Sequence, residues 1–131
     1  TNVNTSGDGY IMYSWRNIPQ FSAFGTLEGN GNSNGPFCYT GMTPSWILFK
    51  NIDSSQHWQL VENVTDTLNP GTNAWYPNMN NAMETNSAFA VDFLSNGFKI
   101  RNTNSTMNTS GHTYVYAAFT GTNPFKTARA R

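Results

Sequence analysis

Residues 92–104 read DFLSNGFKIRNTN, and the fold class follows from how this stretch is paired. Alternating residues flank an Asn-Gly pair, and these two residue types reach positive φ most cheaply, as a two-residue type I′ hairpin turn requires. The pattern predicts a turn at Asn96-Gly97, pairing Ser95 with Phe98, Leu94 with Lys99, Phe93 with Ile100 and Asp92 with Arg101. One face then carries Phe89, Val91, Phe93, Phe98 and Ile100. The other sets Asp92 against Arg101, a cross-strand charge pair worth about 0.2–1 kcal/mol. One face is dry and the other wet, as in an antiparallel sheet.

The rest of the chain has the same flavour. It holds 19 Asn, 16 Thr and 11 Ser among 131 residues, yet also nine Phe, six Tyr and four Trp. Disordered chains lack such aromatics, so the amides and hydroxyls belong to the turns and wet faces of a folded β-protein, where Asn caps turns with its own side chain. Seven Lys+Arg balance seven Asp+Glu, and only 11% of residues are charged. A neutral chain lacks the basic footprint of nucleic-acid binding, so no nucleic-acid partner is expected. No run of 18 apolar residues is present, so no membrane insertion by a helix is expected. The single Cys38 forms no internal disulfide and reads as a small buried residue in a strand.

Strand signals recur at roughly ten-residue spacing. They fall at 10–16 (YIMYSWR), 21–29, 36–40, 45–50 (SWILFK, with the continuous apolar run WILF, expected to be buried on both faces), 57–62 (HWQLVE) and 112–119 (HTYVYAAF). On the last strand Thr113, Val115, Ala117 and Phe119 share one side. Residues 63–87 contain two Pro, one Gly and seven Asn. They form either one long loop or a short strand between two loops, on the surface at one end of the domain. No stretch shows helical periodicity. The expectation is an all-β fold, an antiparallel, jelly-roll-like β-sandwich of about seven to nine short strands with little or no helix. Residues 1–9 read as a linker from a longer parent protein, and 10–131 as one sandwich domain.

Catalytic chemistry is sparse. His57 and His112 lie in no metal-ligand spacing, no Gly-x-Ser-x-Gly elbow occurs, and the seven acids are scattered singly. Asp8 and Asp53 sit where loop carbonyls could help bind calcium, but turn formation is the simpler role. No enzyme, no cofactor and no metal site is therefore expected. The sequons at Asn4, Asn63, Asn104 and Asn108 carry no weight in a chain so rich in Asn, Ser and Thr.

Binding is suggested by NAWYPN at 73–78. An exposed Trp75 or Tyr76 can stack on a sugar ring while Asn73 and Asn78 offer donors and acceptors to hydroxyls. Against this, Trp75 could fold back and pin the loop onto the sandwich. Trp15, Trp46 and Trp58 sit in strand patterns and are expected mostly in the core.

Three blocks together, YSWRNIPQFSAFGTLEGNGNSNGPFCYTG with PSWILFK, then DFLSNGFKIRNTN, then NTSGHTYVYAAF followed by NPFKTARAR, resemble a domain near the C-termini of tail-fibre-like and other virion proteins of tailed bacteriophages, especially marine ones. The resemblance runs from about residue 10 to the end. It implies a virion exposed to the extracellular medium and attachment to a host through a surface glycan or protein, with no site residues to carry over. The alternatives are a structural virion decoration or assembly domain with other virion proteins as partners and, third, a polysaccharide depolymerase. The rings of Trp46–Phe49 and Tyr10–Trp15 exceed what one small sandwich needs inside, so a homotrimer with some of them at the subunit contact is expected.

Overall fold

A computed structural model describes residues 5–121. Nine strands are present among them: β1 (Ser22–Glu28), β2 (Phe37–Tyr39), β3 (Trp46–Asn51), β4 (Gln59–Glu62), β5 (Asn73–Trp75), β6 (Glu84–Thr85), β7 (Val91–Leu94), β8 (Gly97–Ile100) and β9 (Thr113–Phe119). The one helical element among the described residues is a 3₁₀ turn at Ser87–Phe89. A six-stranded antiparallel sheet in the order β1-β9-β3-β4-β5-β6 packs on a three-stranded one in the order β2-β8-β7. The fold is the all-β sandwich expected from the strand spacing.

The core lies between the sheets. Phe98 of β8 meets Phe49 of β3 and Tyr116 of β9 edge-on, at centroid distances of 5.4 and 5.2 Å. Such crossed pairs add about 0.5–1.5 kcal/mol beyond their area. Ile47, Val61, Val91, Ile100, Tyr114 and Met107 close around them, all fully buried. Cys38, as expected, is buried in β2.

The hairpin differs from expectation in its register. Leu94 pairs with Gly97, Phe93 with Phe98, Asp92 with Lys99 and Val91 with Ile100, so Ser95 and Asn96 form the turn. Gly97 lies in β8, outside the positive-φ glycines. The cause is a third strand. β2 lies against β8 with Tyr39 opposite Gly97, and a Cβ on Gly97 would collide with the Cys38 carbonyl. Glycine is needed here for close backbone approach rather than for the turn. The register slips by two, and because side chains alternate with period two the same residues stay on the dry face. Asp92 Oδ2 still reaches Arg101 Nε at 3.4 Å, now along a diagonal.

Residues 10–16 form no strand, contrary to their alternation. Ile18–Phe21 is a β-turn with Pro19 second and Gln20 third, Gln20 at φ 63°, closed by Phe21 N–H donating to the Ile18 carbonyl at 2.9 Å. The chain then pairs with β1 at a single bridge, Ile18 with Ser22. The Phe24 N–H, which a neighbouring strand would use, donates to Asn17 Oδ1 at 2.7 Å instead. With that donor taken, residues 10–16 run off as an exposed arm.

The tryptophans are also corrected. Trp15 is 66% exposed and Trp58 39% exposed, while Trp46 is half-buried. β3 begins with the apolar run Trp46–Phe49 but is buried on one face only. Ile47, Phe49 and Asn51 point inward, leaving Trp46, Leu48 and Lys50 on the outer face. On β4 the inward pair is Gln59 and Val61, so Leu60 faces out. β9 likewise turns Tyr114 and Ala118 inward, with Thr113, Val115, Ala117 and Phe119 opposite.

Asparagine holds the loops together. Fully buried Asn108 accepts from Asn30 N–H at 2.8 Å and donates to the carbonyls of Asn32 and Asn102 at 2.8 and 2.6 Å. Asn51 accepts from the N–H groups of Asp53 and Ser54 and donates to the Ser105 carbonyl. A neutral amide offers donor and acceptor together, so it can satisfy loop backbone inside the fold without burying a charge.

Candidate functional site

The outer face of the six-stranded sheet carries the site. Cross-strand pairing sets Trp46 beside Glu62, Leu48 beside Leu60, and Leu60 beside Trp75. Period-two alternation keeps these side chains on one surface. The segment after β5 completes a cleft of about 590 Å³, lined among others by Trp46, Leu60, Glu62, Trp75, Tyr76 and Asn81. Its size falls within the range typical of small-ligand sites, about 300–1,000 Å³.

The segment 63–87 is two short strands joined by loops, with Trp75 the last residue of β5. Trp75 and Tyr76 are both half-buried and line the cleft. Tyr76 is held edge-on by Phe89 at 6.1 Å and by His57 at 6.0 Å. Burial first, then the Glu84 carboxylate, pushes its hydroxyl pKa above the usual tyrosine value, so the group is kept as a hydrogen-bond donor.

Asn73 and Asn78 act beside the cleft. Asn73 Oδ1 accepts from the Thr85 hydroxyl at 2.6 Å, which ties β5 to β6. Asn78 Oδ1 accepts from Trp58 N–H at 3.1 Å, and its amide nitrogen lies 3.0 Å from His57 Nδ1. Glu62 shapes one rim, because its carboxylate accepts from the N–H groups of Val64 and Thr65 and from the Thr65 hydroxyl.

Sequence reading missed Trp46, Leu60, Glu62 and Asn81. The one signal for the first three was alternation in β3 and β4, which leaves Trp46, Leu60 and Glu62 on the face not taken by the core.

A second concavity lies on the same sheet face. Trp15, Phe24, Leu48, Trp58, Val115 and Ala117 bound an almost wholly apolar trough of about 550 Å³. Trp15 stacks on Phe24 with centroids 6.5 Å apart.

His112 is engaged elsewhere. His112 Nδ1 lies 3.1 Å from the donor Asn51 Nδ2, so that ring nitrogen acts as acceptor. Asp53 accepts from Thr113 N–H at 2.6 Å, and this bond is the main reason that its carboxyl pKa is lowered. Asp8 receives the Tyr10 hydroxyl at 3.5 Å. Among the described residues no three His, Cys, Asp or Glu side chains group as a metal site, and no helix is long and apolar enough to cross a membrane. The terminal block NPFKTARAR lies outside the described residues.

Residues 1–123 match the model of the domain of unknown function DUF7483, and the chain belongs to that family. No curated protein and no solved structure matches it.

Proposed function

We propose that this member of the DUF7483 family is a binding module of a bacteriophage virion, the tip domain of a tail fibre that attaches to a glycan or protein on the bacterial surface. The observation that carries the reading is the cleft between Trp46 and Trp75, where aromatic faces stand beside amide, hydroxyl and carboxylate groups. Aromatic rings stack on the apolar faces of sugars, and neighbouring polar groups take the hydroxyls. The resemblance of the three sequence blocks to tail-fibre-like proteins supports the virion setting.

The arm and the trough support self-association as a homotrimer. Ile11 and Met12 are 84% and 85% exposed, and the trough between Trp15 and Trp58 has almost no hydrogen-bonding groups. Apolar surface of this kind marks protein contacts. Phe49 is fully buried, so the rings available to a subunit contact are those of the outer face and the arm. The same trough favours the second reading, a structural virion domain docked on another virion protein.

The test is a screen of the free domain against bacterial surface glycans and whole cells, with competition against phage adsorption. Saccharide binding together with blocked adsorption is expected. No binding to any bacterial surface and no competition would end the reading. Light scattering that reports a monomer at micromolar concentration would end the trimer.

A further inference from the structure

Resting on the glycan-binding reading, we infer that the cleft selects non-acidic saccharides and turns away those bearing a carboxylate or sulfate. The inference comes from the charges that face the cleft and from how they are held.

Among the described residues Glu62 is the one Asp, Glu, Lys or Arg of the lining. Its carboxylate is fixed in place by the Val64 and Thr65 N–H groups and the Thr65 hydroxyl. These bonds leave it little freedom to swing away from an incoming anion. A second carboxylate, Glu84, acts electrostatically on Tyr76 in the same wall.

Among the described residues no Lys or Arg lines the cleft to oppose them. Lys50 shares β3 with Trp46 but lies four residues along it, about 13 Å at strand spacing, and its ammonium donates to the Gln56 carbonyl. His57 meets Tyr76 edge-on, with Nδ1 engaged by Asn78.

An anionic sugar would therefore lose water on entering an apolar-walled cleft and meet fixed negative charge without a counter-ion. Burying a charge without a partner is strongly unfavourable. A neutral sugar brings no charge to desolvate or to be repelled, and its hydroxyls can recover the hydrogen bonds lost with water by donating to Glu62 and exchanging bonds with Asn81.

The experiment compares matched pairs: neutral hexose oligomers and their uronic-acid counterparts of equal length, titrated onto the full chain by calorimetry. It is run at pH 8, above the ordinary imidazole range, and at low ionic strength. The uronate is expected to bind at least tenfold more weakly. Salt at about 1 M, where the screening length falls to about 3 Å, should narrow that gap without any mutation. Glu62→Gln should narrow it at low salt. Glu84→Gln should do so to a smaller extent while leaving the Glu62 turn intact.

Uronate binding equal to or tighter than the neutral partner would overturn the inference while leaving the glycan reading standing. So would a gap that neither salt nor either variant changes. Absence of binding to every saccharide would overturn the glycan reading, and this inference with it.

Discussion

The backbone of Gly97 lies so close to Cys38 that no side chain fits between them: a Cβ at position 97 would overlap the Cys38 carbonyl oxygen. Three strands meet there, with β8 paired to β7 on one side and to β2 on the other. Gly97→Ala is expected to cost about 1–3 kcal/mol or more by overpacking, measured by denaturant unfolding. Asn96→Ala, in the exposed turn, should stay within about 0.5 kcal/mol. A Gly97→Ala variant as stable as the parent would refute this placement of β2.

Trp75 stands opposite Leu60 on the outer face, while its neighbour Ala74 fills the core. Trp75→Ala should weaken saccharide binding at least tenfold and lower stability by only about 1 kcal/mol, the scale of a lost cross-strand pair. Calorimetry and thermal unfolding of the same variant read the two effects separately. A fall of several kcal/mol with binding intact would make Trp75 an anchor of the fold instead.

Gln59 is fully buried on the inner face of β4, and its amide nitrogen has no hydrogen-bond partner in the structure. Its oxygen accepts from the Thr106 hydroxyl at 3.2 Å, but that hydroxyl also reaches Asn104 Oδ1 at 2.7 Å. Gln59→Met keeps the shape and removes the orphaned donor, so stability should rise by about 1 kcal/mol. A clear fall would show that an internal water bridges the amide.

Burial pushes the Cys38 thiol up from 9.0 to about 12. The folded state thus disfavours the thiolate. Its contribution to stability is complete below pH 9.0, where the unfolded thiol is also protonated, and declines as pH rises toward 12. A thiol-specific reagent at pH 8 should leave the native protein unmodified and react fully once it is unfolded. Rapid labelling of the native chain would contradict the buried position of Cys38 in β2.

The alternation in residues 91–100 was legible because a slip of two residues leaves every side chain on its face. The register was not legible, because a glycine after asparagine serves a turn and a close strand approach equally well. Asn-rich text was legible as turns and wet surface. The reciprocal bonds between Asn30 and Asn108, 78 positions apart, belong to the tertiary structure. The aromatic strip at 10–16 carries a strand's pattern, yet Asn17 takes the Phe24 N–H, a donor that a neighbouring strand would use.

Composition and periodicity determined by themselves that this chain folds as a β-sandwich, since strand length, alternation and turn residues are local properties of the backbone. Which face of β3 and β4 turns inward was decided only by tertiary packing. Both faces of the WILF run, residues 46–49, are apolar, and the three-stranded sheet can cover just one. It covers Ile47 and Phe49, which strands Trp46 and Leu48 outside. The cleft follows from that choice, because Trp46, Leu60 and Trp75 come from three strands and share a surface only once the ladder between them has formed.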